Sequence, residues 1–170
     1  VMKFTPILVK AGYRGPIDIN CLVTKDKIYA LELTCRLGFD AFEALMAGLK
    51  DPIGAFLFDT ATGIKKSMNI QYDFLIAIRV TRDPYPYCTP ADTTESDKGM
   101  PICGLTEVDM KFTYLCDVYK HGEEILYAAS DGVILKATAF GRSVKEAQHR
   151  AYKICNNIKD AVYREKYLKT

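Results

Sequence analysis

Four oxygen-bearing side chains recur two residues apart on two neighbouring stretches: Asp18 and Asn20 on one, Glu32 and Thr34 on the other. In both stretches the odd positions Ile17, Ile19, Cys21, Val23, Tyr29, Leu31 and Leu33 are apolar, so the polar groups fall on even numbers. A period of two puts the sets on opposite faces of a strand. The stretches flank Thr24-Lys25-Asp26-Lys27 and read as a strand pair over 17–23 and 28–34. A loop of odd length would set Asp18 directly opposite Glu32. Two carboxylates facing each other across a ladder repel and weaken it. A hard divalent cation removes that penalty, and carboxylate, amide and hydroxyl oxygens together suit Mg²⁺. Arg36 and Lys27 have the chemistry to hold phosphate oxygens on the same ion. An amphipathic hairpin whose polar face merely meets water produces the same alternation, so the pattern leaves both readings open.

The surrounding elements must position that hairpin. Residues 1–11 carry helical apolar spacing (Phe4, Ile7, Leu8, Ala11), stopped by Gly12, with Gly15-Pro16 marking a turn. Helices are expected from Asp40 to Leu49, and from Asp51-Pro52 to about Ala61, where Gly63 ends the second. Residues 72–81 form a continuous apolar, β-branched strand. Asp83 to Asp109 is a long connection with Pro84, Pro86, Pro90 and Pro101. Strands follow at 112–119, 125–129 and 133–140, the last two joined as a hairpin by Ser130-Asp131-Gly132. Ser143-Val144-Lys145-Glu146 is an S-x-x-E capping box that opens a helix to about Ile158.

Composition bounds the function classes. At 170 residues, 49% hydrophobic and 26% charged, the chain is the size and make-up of one globular domain. A net charge of +2 leaves no electrostatic footprint for nucleic acid. No apolar run reaches the roughly 18 residues of a membrane helix. The basic excess over 143–170 reads as a solvated helix face. The six cysteines, Cys21, Cys35, Cys88, Cys103, Cys116 and Cys155, include no CxxC pair and no Cys/His pair at ligand spacing. Most lie in apolar runs, as free thiols do in a reducing, cytoplasmic compartment. His121 precedes a turn glycine and His149 falls on a polar helix side. Arg79 and Arg82 read as structural ion-pair formers, and Tyr85, Tyr87, Tyr114, Tyr119 and Tyr127 as packing. No Ser/His or Cys/His constellation for nucleophilic catalysis is present.

The run from Gly15 to Asn20, followed by Tyr29 to Gly38, resembles the metal-binding end of the ATP-grasp fold. More narrowly it resembles the C-terminal part of phosphoribosylamine–glycine ligase (glycinamide ribonucleotide synthetase). That family's motif is Glu, any residue, Asn, Cys, Arg, Phe, Gly, and it is matched at Glu32, Cys35, Arg36 and Gly38. Gly132 to Gly141 and Ser143 to Tyr152 resemble the family's closing strand and capped C-terminal helix, and the Tyr85-Pro86 step fits as well. The implied fold is α+β. Residues 1–70 would be the C-terminal part of an ATP-grasp domain, a β-hairpin with helices. Residues 71–170 would be a ligase C-terminal domain, a small mixed β-sheet with a C-terminal helix.

The resemblance implies ADP-forming ligation of glycine to phosphoribosylamine in purine synthesis, through an acyl phosphate, with ATP as co-substrate and Mg²⁺ (or Mn²⁺) as cofactor. Glu32 would be a metal ligand bridging ATP phosphates, Asp18 its partner acid, and Arg36 a catalytic contact to phosphate or substrate oxygens. Thr34 stands where the family has Asn, and Asn20 could supply the missing amide. After Gly38 this chain has Phe39-Asp40-Ala41 where the family has Asp-Pro-Glu, which allows another amine or acid. An adenine hinge and a phosphate-covering segment do not precede Val1, so an N-terminal ATP-binding half is expected as a partner. A non-catalytic interaction module derived from the ligase is the alternative.

Overall fold

The computed structural model describes residues 4–64, 67–86 and 97–160, so Tyr87, Cys88, Pro90 and the basic residues beyond Asp160 lie outside the described residues. The chain forms two compact units. One comprises residues up to Phe42 with Leu49–Gln71, the other Glu43–Gly48 with Tyr72 onward.

In the first unit, α1 (Thr5–Lys10) carries its proline in the first turn, where the missing N–H costs nothing, and Gly12 at φ +63° turns the chain out of it. Strands β1 (Asp18–Val23) and β2 (Ile28–Thr34) pair antiparallel as a two-stranded sheet. Their turn is closed by the Thr24 N–H donating to Lys27 O at 2.8 Å and by the Lys27 N–H donating to Thr24 Oγ1 at 3.1 Å. Helix α2 (Ala41–Gly48) follows in the chain but belongs from Glu43 onward to the second unit, and the first resumes with α3 (Ile53–Thr62), which ends on Gly63 in the left-handed region at φ +80°. Among the described residues, Phe56 of α3 is the one buried apolar side chain that belongs to this unit.

The second unit is built around β8 (Val133–Gly141), whose residues are buried almost throughout. It is flanked by β3 (Phe74–Thr81) and β5 (Thr113–Leu115) in the order β3-β8-β5, both pairings antiparallel. The expectation of a mixed sheet is therefore corrected: each neighbour of β8 runs against it. Short strands β4 (Ile102–Cys103) and β9 (Lys159–Asp160) pair with each other. Helix α4 (Glu107–Met110), inside the stretch read as a connection, is capped by a reciprocal Thr106–Asp109 box. Asn157 also donates to Asp109, at 3.2 Å.

Helix α5 (Val144–Asn157) packs on β8 and β3 through Ala147, Ala151 and Ile154. Ser143 caps it, accepting from the Glu146 N–H at 3.2 Å, while the Glu146 carboxylate reaches one residue further back, to the Arg142 N–H at 2.8 Å. A Cβ on Gly141 would stand 2.7 Å from the Ala147 backbone nitrogen, so only glycine lets the helix start this close to the sheet. Lys136, at the middle of β8, is 2% exposed and pairs with Glu43 at 2.9 Å.

Two expected strands rearrange around one carboxylate. The run 112–119 breaks into β5 and β6 (Val118–His121), and β6 pairs with β7 (Glu124–Tyr127) across Gly122. The expected hairpin between 125–129 and 133–140 does not form, because β7 belongs to that separate ribbon. At the break, Asp117 accepts hydrogen bonds from the Ser130 hydroxyl and from the backbone N–H groups of Ser130, Asp131 and Gly132. Those bonds hold 130–132 as a folded corner and release β8 toward β3 and β5. Burial alone would raise the Asp117 pKa; the Ser130 hydroxyl and the three N–H groups outweigh it and hold the carboxyl below its ordinary value.

Candidate functional site

The β1–β2 hairpin brings the four expected oxygen ligands to one face, in a register other than the expected one. Asp18 faces Thr34 and Asn20 faces Glu32, so the two carboxylates are not directly opposite. Two features correct the reading. The loop holds an even number of residues, and a bulge then shifts the register between Asn20 and Cys21, leaving Leu31 as the extra residue of β2. The bulge also ends the strict odd-even division: Tyr29 faces Leu22, which shares the face of Asn20.

The like-charge penalty invoked from the sequence is thus absent from the ladder. Asn20 Nδ2 donates to Glu32 Oε2 at 3.1 Å, which fixes the orientation of the glutamate. Thr34 Oγ1 is buried with no hydrogen-bond partner. A buried hydroxyl left unbonded carries a desolvation cost of about 1–3 kcal/mol, so its position calls for a ligand or a water. At the same end, a Cβ on Gly38 would come within 3.4 Å of Asp18 Oδ2 and 3.3 Å of Ala41 Cβ, so glycine keeps the loop close to the Asp18 carboxylate.

Arg36 lies two residues past Thr34, exposed, with Nη1 donating to Leu37 O at 3.0 Å. Lys27 is not part of this group. It closes the turn at the far end, seven residues from Thr34, or roughly 23 Å along an extended strand. Burial, and then the Cys35 thiol, pushes the Tyr13 phenol up.

Oxygen donors alone, two of them carboxylates, fit a hard cation that keeps waters and shares phosphate oxygens, the usual habit of Mg²⁺. Among the described residues no three His, Cys, Asp or Glu side chains gather into a self-sufficient metal site. Any ion here would therefore depend on the neutral oxygens of Asn20 and Thr34 and on a bound phosphate. The other sequence candidates serve structure: Tyr127 is fully buried in the core, Arg79 donates to the Tyr85 hydroxyl, and Arg82 pairs with Asp97 at 2.7 Å.

An α+β chain with an oxygen-lined hairpin and an antiparallel sheet covered by a C-terminal helix has a counterpart among solved structures. The fold is that of part of a phosphoribosylamine–glycine ligase from Thermotoga maritima, with TM-score 0.66 and 18% identity over 85% of this chain and 34% of that one. In sequence the chain is similar to the phosphoribosylamine–glycine ligase of Agrobacterium fabrum, 27% identical over 150 residues, and to that of Streptomyces coelicolor, 26% identical over 150 residues. Each match covers 86% of this chain, which spans about a third of the length of those relatives (33% and 35%). No protein-family profile matches the chain. The resemblance read from Glu32, Cys35, Arg36 and Gly38 is thus matched by independent similarity over most of the sequence. No helix among the described residues is long and apolar enough to cross a membrane.

Proposed function

We propose that this chain is the metal-binding portion of an ADP-forming ATP-grasp ligase that joins glycine to phosphoribosylamine in purine synthesis. The observation that carries the reading is the pairing Asp18–Thr34 and Asn20–Glu32 on one face, with the Thr34 hydroxyl buried and unbonded. The similarity to ligases of that name supplies the reaction. In it the glycine carboxylate attacks the γ-phosphorus of ATP, the bond to the bridging oxygen breaks, and ADP leaves. The amine of phosphoribosylamine then attacks the acyl carbon, phosphate leaves with the C–O bond pair, and the nitrogen gives up a proton. Bound Mg²⁺ supplies charge stabilisation to the phosphoryl oxygens.

In this reading Glu32 and Asp18 hold the cation, with Asn20 orienting Glu32 and Thr34 completing the oxygen set. Arg36 places its guanidinium on phosphate or carboxylate oxygens. Both faces of the hairpin are exposed, with Leu22, Val23, Ile28 and Leu31 between 55% and 72% accessible. An apolar ribbon of that kind fits a partner, and an ATP-binding half, in the same polypeptide or another, is the one the chemistry requires. The Phe39-Asp40-Ala41 segment admits a different amine or acid, which product analysis with alternative substrates would reveal.

The test uses the native polypeptide that contains this chain, or the chain with its ATP-binding partner. Glu32→Gln is expected to abolish Mg·ATP-dependent ADP formation while leaving the melting temperature within a few degrees. An unchanged rate would remove Glu32 from the site. Wild-type protein that forms no ADP and binds no Mn²⁺ in the presence of ATP would instead favour the interaction module.

A further inference from the structure

The first unit contains an open cleft of about 590 Å³ that the ligase reading does not use. Its apolar lining is Phe56 at the buried floor, Ile17, Leu37 and Met68 half-buried, and Val9 of α1 and Leu57 of α3 at the exposed rim. Tyr13, Arg14, Thr60 and Ser67 supply its polar side-chain atoms, and Arg14 is the one that carries charge. Two of those four are already engaged: the Tyr13 hydroxyl donates to Pro16 O at 2.8 Å, and the Thr60 hydroxyl to Phe56 O at 2.7 Å. The Arg14 guanidinium has no acidic partner among the described residues. It lies over Gly63, where any side chain would collide with it. A space of this size, apolar with one charged group, has the make-up of a small-molecule site.

We propose that this cleft binds a small carboxylate with an aryl or branched-alkyl body, the body against Phe56, Leu57 and Met68 and the carboxylate on Arg14. Such a planar fork suits a carboxylate better than it suits a neutral group. None of Asp18, Asn20, Glu32, Thr34 and Arg36 lines the cleft, yet Ile17 and Leu37 are the chain neighbours of Asp18 and Arg36. An occupant therefore sits behind the ends of the oxygen-lined hairpin, placed to bias them without competing for a cation.

The experiment is methyl NMR of the 170-residue chain titrated with 2-naphthoate and, separately, with the uncharged 2-naphthamide. The expected result is saturable shifts at Val9, Leu57 and Met68, with the amide at least about tenfold weaker, the loss expected for one charge-assisted hydrogen-bonded contact. Arg14→Met keeps the apolar stem and should bring the two ligands to similar affinity. Because Arg14 also stands at the C-terminal end of α3, where positive charge is favourable, the ligand preference rather than the melting temperature is the readout. Equal binding of acid and amide by the wild-type chain would overturn the proposal, and this arm needs no variant. So would shifts confined to the exposed hairpin residues Leu22 and Leu31, or a preference that survives in Arg14→Met.

Discussion

The hairpin β1–β2 and the strand β8 are both antiparallel β-structure with a polar residue inside an apolar run, yet they use that residue in opposite ways. In β8, Lys136 is surrounded, paired with Glu43, and flanked by Leu135 and Ala137 at 0% exposure. On the hairpin, Asn20 and Glu32 are exposed and bonded to each other, and the one hidden polar atom, Thr34 Oγ1, is unbonded. Around β8 burial goes with a paired charge and close packing, although Glu43 Oε2 is itself buried without a hydrogen-bond partner. Exposure with one group left unsatisfied keeps a region available for a ligand. The comparison separates a part of the chain that holds the fold from a part that can do chemistry.

The largest test of that separation is Leu135→Ala. Truncating a fully buried leucine should destabilise the second unit by about 3 kcal/mol, and hydrogen exchange should show β3, β5 and β8 amides opening first. Equal loss of protection on the hairpin would show that the two regions share one cooperative unit.

A second effect comes from Asp117, whose carboxyl is held below its ordinary value despite burial. A depressed folded-state pKa adds stability that is present above the unfolded value of 3.8 and is lost as pH falls through the lower folded value. Asp117→Asn should therefore lower stability by about 1–3 kcal/mol at neutral pH and flatten the acid-side decline below pH ~4. Denaturant titrations at pH 7 and pH 3 read both. A wild-type-like acid limb in the variant would assign the acid sensitivity to other carboxyls.

The smallest effect has the opposite sign. Thr34→Val removes a buried, unbonded hydroxyl and should stabilise by up to about 1 kcal/mol while lowering Mg·ATP-dependent turnover. A valine that destabilises would mean that the hydroxyl has a structural partner, and the contrast with Lys136 would weaken.

Legibility followed the range of the interactions. The helices near 41–48, 53–62 and 144–157 were visible because caps and apolar spacing are local: Gly63 and Ser143 sit where the sequence put them. The oxygen-bearing face was visible for the same reason, since period-two spacing needs no partner. Its register was not, because a one-residue bulge at Asn20/Cys21 changes every pairing beyond it and leaves no compositional trace. The helical turn Glu107–Met110 was hidden in a proline-rich stretch although Thr106 and Asp109 carry a capping signature. The Arg14 cleft could not be read at all, since its walls come from α1, α3 and the segments flanking the hairpin.

The sequence by itself determined which residue types could hold a cation, that the chain mixes helices with strands, and that it resembles phosphoribosylamine–glycine ligase. Tertiary structure alone decided that Asp18 faces Thr34, that β8 lies between two antiparallel neighbours, and that β7 leaves it for β6. The physical reason is that these outcomes rest on contacts between distant residues. Asp117 binds the N–H groups of Ser130–Gly132, and Lys136 binds Glu43, 93 positions away. Local periodicity sets which side of an element is polar, whereas long-range burial and hydrogen bonding set what that side meets.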